Sequence, residues 1–340
     1  MKRGLLATAL ALAMTLALTA CGNGGQSASE APAGNDSSAQ QTAEATDWKW
    51  ERNIEIVCPW GTGGGADTTL RAFTSALEKE VGVKVVVNNK AGAGGVTGVQ
   101  FASQQPTDGY SYLMATQSPV VAQISGATDF DVYGTVRPLI QMVQDVNVLV
   151  AGKDEPYNNL TELVDYIKKN PGSVKAGVMT ITGLDAACLR GVFGDTLEPV
   201  AYTEGSQLNA DIVGGHINLG VEGPAEVKAM VDSGDMKVIC AFTDKPLTIP
   251  GWEKVQTSKE AGYDVTFGPG RGIFYFDGTP EAAVKAFEAA AEKALNSEEF
   301  KSFAKQQGLD QRQGWKNMAD YQAAWKADYE ALNSMFGQGK

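Results

Sequence analysis

Short apolar runs recur along the chain and alternate with stretches whose apolar residues fall three and four apart. The runs Ile54 to Cys58, Val83 to Val87, Tyr112 to Ala115, Val146 to Val150, Val174 to Val178 and Lys237 to Phe242 read as strands. Between the first two, Leu70, Phe73, Leu77 and Val81 share one helical face, with Asp67 placed to cap the start. Asn159, followed three residues on by Glu162, opens a second helix that Asn170-Pro171-Gly172 ends. Pro280 to Ala294 and Met318 to Met335 are helical by the same spacing. Strands separated by helices predict an α/β chain with parallel sheets covered on both faces. There is no internal repeat and no heptad run.

The first residues break this alternation. Lys2 and Arg3 precede an uncharged run of 17 residues from Gly4 to Ala20, which ends in Leu18-Thr19-Ala20 before Cys21. That order of charge, apolar core and small-residue site is the pattern of a secretory signal removed after export. The run is also marginal for a membrane span. Leu18 to Cys21 resembles a bacterial lipobox, so residues 1–20 are expected to be a lipoprotein signal and Cys21 the lipidated first residue; a plain signal with an incidental cysteine is the alternative. Residues 21–47 are Gly, Ser, Ala, Gln, Asn and Thr with almost nothing large and apolar, which predicts a flexible tether. The fold begins near Trp48, leaving about 290 residues, enough for two domains.

With 28 basic against 40 acidic residues the net charge is −12, and no basic cluster offsets it, which argues against a nucleic-acid partner. Cys58, Cys188 and Cys240 include no close pair; one disulfide or three buried small hydrophobes are both open readings. The single histidine, His216, lies in Gly214-Gly215-His216-Ile217-Asn218, away from any Cys/His cluster, and no Gly-x-Ser-x-Gly elbow occurs. No catalytic residue, metal site or cofactor is therefore expected. Paired carboxylates keep an extracytoplasmic enzyme acting on a small carboxylate as the alternative class, and a surface adhesion lipoprotein is a third.

Two glycine-rich loops follow strands. Cys58-Pro59-Trp60-Gly61-Thr62-Gly63-Gly64-Gly65-Ala66-Asp67-Thr68 joins a strand to a helix, where glycines can bring several N–H groups to the positive end of the helix dipole. It has neither the Gly-Lys-Ser/Thr of a nucleotide loop nor the Gly-x-Gly-x-x-Gly spacing. Asn88-Asn89-Lys90-Ala91-Gly92-Ala93-Gly94-Gly95 repeats the chemistry after the next strand. Each alone is explained by a tight turn; together, at the carboxyl ends of strands in one sheet, they suggest two sides of one anion pocket.

These residues carry a resemblance. Ile54 to Asp67, Asn88 to Gly95 and Pro106-Thr107-Asp108-Gly109-Tyr110 are similar to the N-terminal signature of the tripartite tricarboxylate transporter substrate-binding (Bug-like) family. Asn170-Pro171-Gly172, Val200 to Gly205, Val213 to Leu219 and Gly278-Thr279-Pro280 match in order. The resemblance covers nearly the whole chain from Ile54 onward. It implies a two-lobed, type II periplasmic-binding-protein-like α/β fold with the ligand cleft between lobes, a small-molecule carboxylate ligand, and a tripartite tricarboxylate-type permease as partner. Function as a monomer, lipid-anchored outside the cytoplasm, is expected.

By position the resemblance points to Trp60, Thr62, Gly63, Gly64, Asp67 and Thr68, then Ala93 and Gly94, then Thr116, Gln117 and Ser118, then Tyr202 closing from the other lobe. Trp60 stands where a Phe is more usual, and Ala201 and Thr203-Glu204 replace a Pro and a Lys-Gly-like pair, which bears on ligand identity. Asp67 reads equally as a helix cap, and Tyr202 equally as a core aromatic. Glu204, Glu222 and Arg271 sit beside glycines in cleft loops and are either solvated charges or readers of the ligand's distal end; an Arg271 facing the cleft predicts a second carboxylate, an acid facing it an amine or hydroxyl. The expected lobes are 48–145 with 272–340, and 146–271.

Overall fold

The computed structural model describes residues 48–337 except 182, 203 and 204. Cys21, the signal, the tether and Glu204 thus lie outside the described residues. In chain order the strands are β1 (Ile54–Cys58), β2 (Val85–Asn89), β3 (Ser111–Ala115), β4 (Arg137–Gln144), β5 (Val148–Gly152), β6 (Ala176–Val178), β7 (Pro199–Ala201), β8 (Leu219–Glu222), β9 (Met236–Ala241) and β10 (Gly270–Tyr275). The helices are α1 (Gly65–Val81), α2 (Val96–Ser103), α3 (Ser118–Ile124), α4 (Val132–Thr135), α5 (Leu160–Lys169), α6 (Leu184–Phe193), α7 (Gly205–Val213), α8 (Pro224–Asp232), α9 (Glu281–Asn296), α10 (Glu298–Gln306) and α11 (Met318–Phe336). Among the described residues no helix is long and apolar enough to cross a membrane.

Two five-stranded sheets, ordered β2-β1-β3-β10-β4 and β7-β6-β8-β5-β9, floor two α/β lobes. The expectation of parallel sheets needs correcting. β1 is parallel to β2 and β3, and β6 to β7 and β8, but β10 runs against β3 and β4, and β5 against β8 and β9. The physical reason is the way the chain changes lobe. β4 leads into β5 through three residues, and β9 is followed after a long loop by β10, so neither passage has a crossover helix to turn the strand round. A strand arriving from the other lobe starts at the cleft, whereas the parallel set ends there.

Strand alternation divides each lobe's core between the two faces of its sheet. In the first lobe Ile54, Ile56, Tyr112 and Met114 pack with Leu70, Phe73, Leu77 and Phe287 on one face, while Val57, Leu113 and Ala115 pack with Val121, Phe274, Tyr321 and Trp325 on the other. In the second, Leu149, Ala176, Val178, Leu219 and Val221 face α5 and α6, and Val148 and Val150 face Leu208 and Ile212 of α7. Cys58, Cys188 and Cys240 are unpaired and buried as small hydrophobes, and burial pushes the Cys58 thiol up to about 11.

The ends of α1 follow from glycines. Gly64, in extended backbone, is its N-cap, and Gly82 at φ 74° closes it with an N–H to Glu78 O. The next strand runs two residues beyond the apolar run, so Asn88 and Asn89 belong to β2. Asn159 caps α5 as the sequence predicts, its side chain accepting from Glu162 N at 2.9 Å.

Candidate functional site

In both sheets the parallel strands place a central strand, β1 or β6, between its two successors. The crevice outside the carboxyl ends of strands at such a reversal is where α/β sheets bind ligands. In the first lobe the loops after β1, β2 and β3 converge there. A Cβ placed on Gly95 would lie 2.9 Å from Pro119 Cγ and 3.4 Å from Trp60 Cζ2, so the loops are already in contact.

The first loop is organised by Asp67, which is 2 % exposed. Its Oδ2 accepts from Gly63 N and from Arg71 Nε, each at 2.9 Å, and its Oδ1 accepts from Asn89 Nδ2 at 2.9 Å. Asn89 Nδ2 also donates to Trp60 O at 2.9 Å, tying this loop to the end of β2. Burial works to raise the Asp67 carboxyl, but the bonds from Arg71, Gly63 and Asn89 outweigh it and hold it below the usual value. Asp67 thus closes the loop and sits in the first turn of α1 rather than at its cap. Thr62, Gly63 and Gly64 are exposed, and Thr68 Oγ1 turns back to Gly64 O and Gly65 O. Gly64 and Gly65 lead into the first turn of α1, whose amides have no partner within the helix.

The second loop is more unusual. Gly92, Ala93, Gly94 and Gly95 all have positive φ, 142°, 48°, 63° and 95°. Ala93 is the one non-glycine residue with positive φ among those described, a conformation that costs on the order of 1–3 kcal/mol and persists where the surroundings impose it. The run makes a tight left-handed turn: Gly95 N donates to Gly92 O at 2.9 Å, and Val96 N to Ala93 O. The amides of Ala93 and Gly94, at its start, have no partner within the turn.

The third loop is structural at its centre. Gln117 is buried, accepting from Gly270 N at 3.0 Å and donating to Asp328 Oδ2 at 2.7 Å. Thr116 Oγ1 accepts from Ser118 N at 3.3 Å, and Ser118 is half-buried. Arg271, on β10, is likewise engaged. Its Nη2 donates to Asp145 Oδ2 at 2.8 Å and its Nη1 to Gly65 O and Thr69 Oγ1 at 3.0 and 2.6 Å. Its fork is spent on the interlobe crossing and the start of α1.

The second lobe presents the loops after β6, β7 and β8. A Cβ on Gly94 would lie 3.7 Å from Thr180 Cγ2, and one on Gly65 would lie 3.3 Å from Glu226 Oε1, so these loops face the first lobe's across the cleft. Tyr202 is half-buried and donates its hydroxyl to Asp211 Oδ2 at 2.8 Å. Glu222 ends β8 at 3 % exposure, and its Oε1 has no hydrogen-bond partner. Glu226, one turn into α8, accepts from Gly223 N at 2.9 Å, and Asp185 of α6 accepts from Met179 N and Thr180 N at 2.6 and 3.3 Å. Burial first, then the charge of Glu226 and the hydrogen bond between the two carboxyls, pushes the Glu222 carboxyl well above its usual value; burial raises Asp185 to about 6. The sequence reading missed Glu226, Asp185 and Asn209, since nothing local marks a helical residue as turned toward a cleft. The one available signal was the strand-Gly-Pro turn Glu222-Gly223-Pro224, which parallels Gln117-Ser118-Pro119 in setting proline in a helix's first turn.

A hollow of about 610 Å³ beside α5 is a weaker candidate, because its polar lining is bonded to itself: Asn158 N to Glu162 and Gln256 Nε2 to Thr161 Oγ1. Among the described residues no group of His, Cys, Asp and Glu could hold a metal ion.

Comparison with known proteins gives consistent findings. The family model described as tripartite tricarboxylate transporter family receptor matches residues 69–328. A UPF0065 protein of Bordetella pertussis is 26% identical over 265 residues, 76% of this chain and 81% of that protein. Among solved structures, MatC of Rhodopseudomonas palustris with bound malate superposes at TM-score 0.72 and 19% identity over 84% of this chain and 99% of its own. A second protein of that organism, with adipate, does so at TM-score 0.72 and 20% identity over 84% and 98%. The last two show that the fold is shared.

Proposed function

We propose, from the premise that this chain belongs to the tripartite tricarboxylate transporter receptor family, that it is an extracytoplasmic lipoprotein which captures a small organic carboxylate and delivers it to a tripartite tricarboxylate-type membrane permease. The family and the fold neighbours are solute-binding proteins, and the chain is a solute receptor, not an enzyme. The observation that carries the carboxylate is the left-handed turn Gly92 to Gly95 beside the glycine-rich start of α1, two sources of backbone donors at one crevice. The malate and adipate of the fold neighbours support the same class. Trp60, Thr62, Gly63 and Gly64, with Ala93 and Gly94, would form the carboxylate end, and Asp67, Thr68, Thr116, Gln117 and Ser118 would hold the loops in shape. Tyr202 and the end of β8 would close from the second lobe. With the lobes taken as 48–145 plus 272–340 and 146–271, a division that falls inside β10 and leaves Arg271 on the first lobe's sheet, ligand contact with both favours the closed state of a monomer.

Calorimetric titration of the purified mature chain with mono-, di- and tricarboxylates should show saturable binding by at least one. Gly94→Val should abolish it with the circular dichroism spectrum intact, because φ 63° disfavours a β-branched residue and the side chain would stand toward Thr180. No binding by any carboxylate would sink the reading, and full binding by the variant would place the site elsewhere.

The anchor rests on the sequence Leu18 to Cys21. Bacterial lipoproteins carry two or three acyl chains, enough for stable attachment. Cys21→Ser should move the protein from the membrane to the soluble fraction; unchanged fractionation would refute the anchor.

A further inference from the structure

The corner where β8 meets α7 and α8 contains two buried acceptor atoms that no N–H of the protein serves, and the Glu222 carboxyl there hydrogen-bonds only to another acid, Glu226. Glu222 Oε1 and Asn209 Oδ1 are both buried and without a hydrogen-bond partner. They belong to one place. A Cβ on Gly205, the first residue of α7, would lie 4.0 Å from both Glu222 oxygens. Asn209, one turn along α7 from Gly205, donates through Nδ2 to Glu226 O at 3.4 Å. Glu226 differs from its neighbour: it has the Gly223 N–H, and a Cβ on Gly65 would meet both its Oε1 and Arg271 Nη2. Glu222 has neither.

A buried acceptor without a donor loses its hydration with nothing in return, and the loss is larger if it is charged. Two at one corner, beside a pair of carboxyls bonded to each other, call for a group that brings several N–H donors and a positive charge. Arg271 cannot supply it, being bonded to Asp145, Gly65 and Thr69. A second carboxylate would add like charge to Glu222, Glu226 and Asp185 in a poorly solvated place. A hydroxyl would bring one donor, whereas an ammonium brings three and the opposite charge. The Glu222 carboxyl, raised by burial and then by the charge of Glu226, fits the same missing counter-charge.

We propose that this corner holds a protonated amine, so that the solute is an amino-carboxylate whose carboxylate lies on the first lobe's amides and whose ammonium donates to Glu222 and Asn209. This rests on the carboxylate-receptor reading and narrows its ligand class. Glu222 is then the residue that separates amine-bearing carboxylates from simple ones.

The test is a calorimetric comparison of chain-matched pairs, butanoate with 4-aminobutanoate and succinate with aspartate, on the mature wild-type chain and on Glu222→Gln. Wild type should prefer the amine-bearing member of at least one pair by about tenfold or more, the usual scale of a charge-assisted hydrogen bond. The variant should lose most of that ratio while its near-ultraviolet circular dichroism stays native. Equal or better binding of the simple carboxylates by wild type overturns the proposal whatever the variant does, and so does a ratio that Glu222→Gln leaves unchanged. Binding of simple carboxylates alone removes only this proposal; binding of neither series, nor of any other carboxylate, removes the receptor reading with it.

Discussion

The two lobes share one connectivity and finish their cleft ends in opposite ways. In each, a central strand lies between two parallel successors, with antiparallel and outer strands beyond, and three loops open onto the crevice. The first lobe settles its own charges: Asp67 takes three hydrogen bonds, Gln117 is engaged at both ends of its amide, and Asp145 meets Arg271. What it offers the cleft is backbone. The second lobe leaves Glu222 Oε1 and Asn209 Oδ1 buried without donors. Topology therefore supplies the crevice and says nothing about its chemistry, which the loops decide separately on each side. A cleft wall with its polar groups already paired is preorganised, whereas a wall with orphan acceptors gains most when a ligand brings the donors.

The comparison breaks most visibly at its best-satisfied point. Arg271 and Asp145 are 9 % and 4 % exposed in their side chains and 2.8 Å apart, where the chain crosses between lobes. Burial raises the Asp145 carboxyl and Arg271 opposes the rise. Removing one member of such a pair leaves a buried charge alone and costs about 3–5 kcal/mol. Arg271→Ala should lower the urea-unfolding stability by that amount, and Arg271→Met with Asp145→Asn should recover part of it. A loss below about 1 kcal/mol would mean that this lobe's charges are not internally settled, and the contrast between the lobes would fail.

The features that could be read in advance were local ones. β1 is legible because Ile54, Ile56, Val57 and Cys58 form a short apolar run interrupted only by Glu55, and α1 because Leu70, Phe73 and Leu77 keep helical spacing. The left-handed turn is legible as Gly92, Gly94 and Gly95, since positive φ selects glycine; Ala93, held at φ 48°, carries no such mark. β4 is obscured by its polar residues, among them Gln141, buried because its Nε2 reaches Gly314 O at 2.8 Å, 173 residues away. The antiparallel strands were missed because direction depends on where the chain crosses between lobes, not on composition. Arg271 reads in sequence as a fork open to a ligand, and only its partner 126 residues away shows where the fork goes. Glu222 stood out by its place beside a glycine, while Asn209 and Glu226 looked like ordinary helical residues.

A smaller effect sharpens the comparison from the other side. Glu222 faces the charges of Glu226 on α8, to which it also hydrogen-bonds, and of Asp185 on α6, and from α7 the uncharged Gly205. Its carboxyl is raised by burial and then by Glu226, so the folded state holds this proton more tightly than the unfolded chain does. The stability tied to that proton is fully present below the ordinary carboxylate value and is lost as pH rises through the raised one. Glu222→Gln removes the titration. Without ligand, the variant should therefore melt a few degrees above wild type near pH 8, since about 1 kcal/mol moves a domain of this size roughly 2–4 °C. The gap should close as pH falls toward the ordinary carboxylate range, because wild-type Glu222 is then neutral. Melting curves of both proteins across that range decide it. A gap that widens on acidification would mean that Glu222 is stabilised as an anion by a partner inside the fold, and the second lobe would then be as self-contained as the first.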